Sequence, residues 1–139
     1  TTWTSRTSGT SNRLWDVTYA NDTFVVVGME NLGYIFTSSD GITWTKQTSV
    51  TSSYLDNVIY GNSTFVAVGT SGTILTSSDG TTWTSRTSGT SNIFYGITYG
   101  NNSFVVVGAS GTILTSPDGT TWTSRTSGTS NHLRGITIR

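Results

Sequence analysis

The sequence predicts an all-β protein and, within that class, a β-propeller of four-stranded antiparallel blades, about three and a half blades per chain. Three observations carry the prediction. Thr and Ser fill more than a third of the 139 positions and most of the apolar residues are Val, Ile or aromatic, so the chain suits a pleated, half-buried surface better than a helix. Trp3, Trp44, Trp83 and Trp122 recur at intervals of 41, 39 and 39 residues, the spacing of a blade repeat. Asp40-Gly41, Asp79-Gly80 and Asp118-Gly119 stand four residues ahead of the last three tryptophans, marking one tight turn per repeat.

Each repeat reads as four short strands. Strand one covers residues 14–19, 55–60 and 94–99, with apolar residues alternating from Leu14 and then, after a slip of phase, at Val17 and Tyr19. Strand two, at 24–28, 65–69 and 104–108, is apolar on both faces, as a strand sandwiched between sheets must be. The turns "AND", "GNS" and "GNN" join these two strands. Strand three is expected at 34–38, 73–77 and 112–116, and strand four at 43–49, 82–88 and 121–127, polar at alternate positions as an outer strand should be. The first repeat carries two extra residues around Met29 to Leu32, confined to the loop between strands two and three.

The chain is therefore expected to be a single repeat domain over 1–139: a strand-four start at 1–11, blades at 12–48, 49–87 and 88–126, and a partial blade at 127–139. Counting from Trp3 to Leu133 gives fourteen strands, three blades and an orphan strand at each end. Such an arc leaves open edges. Ring closure is expected either from self-association of identical chains through the terminal blade edges or from a longer parent chain, which the missing initiator Met allows.

The segments "SSDGITW", "SSDGTTW" and "SPDGTTW", beginning at Ser38, Ser77 and Ser116, resemble the Asp-box hairpins of sialidase-like (BNR-type) repeat propellers, one residue shorter between Asp and Gly than the commonest form. The resemblance implies structural work for these residues: Asp40, Asp79 and Asp118 accept backbone N–H groups in their own turns, and Trp44, Trp83 and Trp122 pack between blades. It does not extend to sialidase chemistry, which needs an arginine triad, a tyrosine–glutamate pair and an acidic donor. Arg6, Arg86 and Arg125 are repeat equivalents of one another, and Glu30 is the only Glu. His132 is the only histidine and there is no Cys, so the expectation is no enzyme, no metal and no cofactor.

A formal net charge of zero gives no field to gather phosphates or anionic lipid, which excludes nucleic-acid and membrane-surface partners. The longest apolar run, residues 24–27, is far short of a membrane span, and the absence of Cys fits any redox compartment; an extracellular or surface-associated setting is favoured. Recognition residues are sought where the copies differ. Equivalent columns ahead of and within strand one read Arg13, Tyr54, Ile93, His132, then Trp15, Asp56, Tyr95, Arg134, then Asp16, Asn57, Gly96, Gly135. Propeller topology places these with the loops between strands two and three, on the face opposite the Asp-Gly turns. Arg13, Trp15, Asp16, Tyr54, Asp56, Tyr95, His132 and Arg134 are thus the expected ligand-binding set, suited to lectin-like binding of a neutral glycan by stacking and hydroxyl contacts, with avidity from equivalent sites. The alternative is a passive structural or assembly module of a bacterial surface or phage, or a designed or reconstructed propeller without a ligand.

Overall fold

A computed structural model describes residues 1–29 and 32–138; Glu30 and the centre of the two-residue insertion lie outside the described residues. Twelve strands form three four-stranded antiparallel sheets, each a meander in chain order. The first contains β1 (Arg13–Ala20), β2 (Thr23–Met29), β3 (Gly33–Ser38) and β4 (Thr45–Lys46). The second contains β5 (Leu55–Gly61), β6 (Thr64–Gly69), β7 (Ile74–Ser77) and β8 (Thr84–Arg86). The third contains β9 (Phe94–Gly100), β10 (Ser103–Gly108), β11 (Ile113–Ser116) and β12 (Thr123–Arg125). These are three propeller blades in an open arc, with β1, β5 and β9 packed side by side.

Two expectations need correction. The outer strands are two or three residues long instead of seven, because only that stretch finds partners on strand three, as in Ile74↔Arg86 through Thr76↔Thr84. The orphan strands are also absent as strands: no described residue before Arg13 or after Arg125 belongs to a sheet. A strand is defined by its neighbour, and neither end has one within the chain. Residues 132–138 nevertheless lie where a fourth blade's first strand belongs. Ile138 sits against Gly100 as Tyr99 sits against Gly61, and Leu133 N–H donates to the Gly108 carbonyl at 3.0 Å.

The phase slip in strand one has a structural cause. In all three blades the pairing with strand two skips one residue, between Leu14 and Asp16, between Leu55 and Asn57, and opposite Val107 and Gly108. A β-bulge at this point adds one residue and turns the strand over. Beyond it, side chains of each blade divide into two faces. Leu55, Val58, Phe65 and Trp83 of the second blade meet Val25, Val27 and Ile35 of the first in one buried cluster. Phe94, Ile97 and Phe104 of the third meet Val66, Val68 and Ile74 of the second in another. Both faces of the middle sheet are consequently dry.

Trp83 is 5% exposed, its indole N–H held by the Gly80 carbonyl at 2.9 Å. Trp122 makes the same bond to Gly119 and is half-buried against the second cluster. Trp44 departs from the expected interface position: among the described residues it packs on Phe24 of its own sheet, at 6.2 Å between ring centroids. Trp83→Ala is expected to cost about 3–5 kcal/mol in urea unfolding, as for a large aromatic removed from a core. Trp3→Ala, at a position 94% exposed, is expected to change stability by less than about 0.5 kcal/mol.

Candidate functional site

Two kinds of connection meet on one face of the arc. The loop from strand four to the next strand one is shaped locally: Ser88 donates to the Thr90 carbonyl at 3.0 Å and Thr90 Oγ1 accepts Asn92 N–H at 3.1 Å. The same pair of bonds recurs at Ser8–Asn12, Ser49–Ser53 and Ser127–Asn131. The loop between strands two and three, a single 3-10 turn at Thr70–Gly72 and again at Ala109–Gly111, is tied directly to it. Thr70 N–H reaches the Tyr54 carbonyl at 3.0 Å, and Gly72 N–H the Asn92 carbonyl at 2.9 Å. Gly72 at φ +66° lies so close to Thr90 that any side chain there would collide with its carbonyl.

The opposite face is uniform. Ser77 Oγ accepts Gly80 N–H at 2.9 Å and donates to Asp79, whose Oδ1 accepts Thr81 and Thr82 N–H at 2.8 Å each. Asp40 and Asp118 repeat the arrangement. The two backbone N–H bonds hold each carboxyl below the usual carboxylate range, Asp40 to about 2. Asp40, Asp79 and Asp118 are spent within their own turns.

On the variable face, the bulge decides which column projects. Trp15, Asp56 and Tyr95 are the bulged residues of their strands, lifted out of the ladder, and Arg134 is their equivalent on the terminal segment. Trp15 is 51% exposed. Asp56 is half-buried, and that burial pushes its carboxyl above the usual range. Tyr95, His132 and Arg134 come together: the Arg134 guanidinium lies over the Tyr95 ring at 5.2 Å and the His132 ring meets its edge at 5.8 Å. His132 is itself oriented, its Nδ1 accepting Ser110 N–H at 3.1 Å.

The remaining candidates have other partners. Asp16 Oδ2 accepts Val58 N–H at 2.9 Å across the blade boundary and its Oδ1 accepts Val17 N–H at 2.9 Å, so its carboxylate ties blades together. Asn57, its equivalent, donates to the Tyr95 carbonyl at 3.2 Å. Tyr54 is half-buried and offers its backbone to Thr70 from both sides. Arg13 is exposed beside a shallow cavity of about 310 Å³ that it lines with Ser11, Asn12 and Met29. A second groove of about 480 Å³ runs between residues 88–92 and Ser110–Thr112, with Trp122 and Arg125 on its flank. Sequence comparison between repeats missed it, because its residues are those that the repeats share. Among the described residues no three His, Asp or Glu side chains cluster to hold a metal, and no helix is long and apolar enough to cross a membrane.

No family model and no curated protein matches the chain. Solved structures do. YCF48 from Cyanidioschyzon merolae superposes with a TM-score of 0.65 at 21% identity, over 83% of this chain and 37% of that one. YCF48 bound to D1 peptide gives 0.66 at 17% identity, over 89% and 42%. The chain spans less than half the length of either, and at these identities the likeness is one of fold: a β-propeller.

The aspartate turns set an acid limit. A carboxyl whose pKa is lower folded than unfolded stabilises fully above the unfolded value, 3.8, and loses that stabilisation as pH falls through the folded one, about 2 for Asp40. The combined Asp40→Asn, Asp79→Asn, Asp118→Asn variant is expected to melt below the parent at about pH 6, with the gap closing towards about pH 2. Paired thermal melts across that range measure it; a gap independent of pH refutes it.

Proposed function

We propose that the chain is a non-catalytic interaction module that binds an extended peptide segment bearing a carboxylate, through the face where the strand-four-to-one and strand-two-to-three connections meet. The Tyr95–His132–Arg134 cluster carries this reading. The Arg134 guanidinium sits over the Tyr95 ring at 5.2 Å and donates to no acceptor among the described residues, which leaves its hydrogen-bonding capacity for a planar anion such as a carboxylate. The exposed Arg13 at the other end of the face adds a second cation. The groove between 88–92 and Ser110–Thr112, rich in hydroxyl and backbone groups, suits a peptide main chain. A structural neighbour of the same fold is described as bound to a peptide.

A second reading is the lectin-like one. It is favoured by Trp15, whose ring is 51% exposed and free to stack on a sugar. Tyr95 is less suited to that task, since Arg134 covers its face.

Interferometry on the immobilised chain separates the two. Arrayed peptides ending in a free carboxylate are expected to bind in the micromolar range, and their amidated forms roughly 10–100-fold more weakly. Arg134→Ala should abolish that difference. Retention on a neutral glycan array that is lost with Trp15→Ala and indifferent to Arg134→Ala supports the lectin reading and overturns the peptide one.

A further inference from the structure

Asp56 carries a half-buried carboxylate that makes no hydrogen bond and no ion pair among the described residues; burial alone acts on it. The other aspartates are engaged. Asp16, at the neighbouring bulge, accepts a backbone N–H on each oxygen, Asp22 receives the Tyr19 hydroxyl at 3.3 Å, and Asp40, Asp79 and Asp118 are closed into their own turns. β5 lies between β1 and β9, so both neighbouring strands are present beside Asp56 and its lack of a partner owes nothing to either end of the chain. A carboxylate drawn partly out of water without a cation costs stability and does nothing for the fold.

The neighbours of Asp56 in the bulge column are aromatic on both sides, Trp15 on β1 and Tyr95 on β9. One step along, the closeness of such neighbours is visible: Tyr95 and Arg134 hold successive places in the column, and the Arg134 guanidinium lies over the Tyr95 ring at 5.2 Å. The strands on either side of Asp56 are held as near. Asn57 donates to the Tyr95 carbonyl at 3.2 Å, and Asp16, next to Trp15, accepts Val58 N–H at 2.9 Å. The step from Trp15 to Asp56 thus repeats the step from Tyr95 to Arg134, an aromatic ring followed by a charge, with the sign reversed. At the later step the protein supplies the cation itself. At the earlier one a ring 51% exposed and an unpaired carboxylate hold successive places with no cation of the chain to join them.

We propose that Trp15 and Asp56 form a receptor for an organic cation, the guanidinium or ammonium of a basic peptide side chain, which stacks on the Trp15 ring and pairs with the Asp56 carboxylate. Indole is the strongest cation binder among the aromatic side chains, and the carboxylate beside it adds directional acceptors for guanidinium N–H groups. A metal ion fits poorly, since no further His, Asp or Glu side chains gather with Asp56 among the described residues. A neutral sugar stacked on Trp15 leaves the half-buried charge uncompensated. The receptor shares a face with Arg134 but uses none of its hydrogen bonds, so this inference does not rest on the carboxylate reading.

An acetylated and amidated peptide with a single arginine among glycines tests this without a carboxylate of its own. Titration followed through the Trp15 indole N–H resonance, identified by its loss in Trp15→Phe, is expected to give a Kd in the millimolar range, weakened about tenfold when citrulline replaces arginine. Methylguanidinium alone should bind at least about fivefold more weakly than the peptide, whose main chain adds contacts; equal affinity overturns the peptide as the source of the cation. Asp56→Asn is expected to keep the spectrum of the folded chain, to melt no lower than the parent because it removes an unpaired half-buried charge, and to weaken the arginine peptide about tenfold. Asp22→Asn, in the turn at the far end of β1, should leave that affinity unchanged. Equal affinity for the arginine and citrulline peptides, an Asp56→Asn variant that binds as the parent does, the same loss in Asp22→Asn, or an Asp56→Asn variant that melts several degrees below the parent, so that the carboxylate is a structural partner, would each overturn the proposal.

Discussion

Every sheet in this molecule is too apolar on both faces to stand alone, and the packing of one blade's face against the next is the interaction on which the rest depends. Phe65, Val66, Ala67 and Val68 of β6 are all fully buried, which requires a sheet on either side. Consecutive blades satisfy this with a few polar contacts across each boundary: Asp16 and Asn57 reach the next inner strand, and the Asn21 and Asn62 amides donate to the Tyr60 hydroxyl and the Pro117 carbonyl. The close approach of inner strands is what restricts the strand-one ends to Ala20, Gly61 and Gly100. At Gly61 an added side chain runs into Tyr99 of the neighbouring strand, and at Gly100 into Ile138 of the terminal segment.

With so few charges, stability rests on apolar burial, on the sheet ladders and on side-chain hydrogen bonds that are mostly local. Among the described residues, every buried side-chain nitrogen or oxygen has a partner, and most side-chain bonds span two or three residues, as in the Ser77–Asp79–Gly80 turn and the Ser88–Thr90–Asn92 loop. The blades can thus be written as a repeated short text, because each turn folds on its own residues and only the apolar faces need a neighbour. Variation is tolerated where neither demand applies. That place is the bulge column and the loop ahead of it.

Much of this was legible in the sequence. The period of the tryptophans, the Asp-Gly turns and the doubly apolar strand two determine blade number, strand order and the face on which variation gathers. The phase slip after Leu14 was visible as an irregularity, but its meaning, a bulge that projects Trp15, Asp56 and Tyr95, emerged only from the register of β1, β5 and β9 against their partners. The candidate site was read less completely. Asp16 sits in a variable column, yet it bonds Val58 across the blade boundary, a contact that spans 42 residues and has no local signature. The Tyr95–His132–Arg134 cluster joins two repeat equivalents with a residue from the adjoining column, and only the seating of residues 132–138 beside β9 brings them together.

The twelve-residue segment that begins the chain separates what sequence decides from what tertiary structure decides. Wherever it occurs, its Ser-x-Thr-x-Asn loop makes the same hydrogen bonds and its glycine, Gly9, Gly89 or Gly128, takes φ of 76–78°, since those features need nothing beyond the segment itself. Its strand and its tryptophan behave otherwise. Trp83 is 5% exposed in a strand-bearing copy and Trp3 94% exposed in an identical one. A strand needs the N–H and C=O groups of a neighbour, and a buried indole needs the apolar face of another blade. The first residues of the chain find neither within the arc.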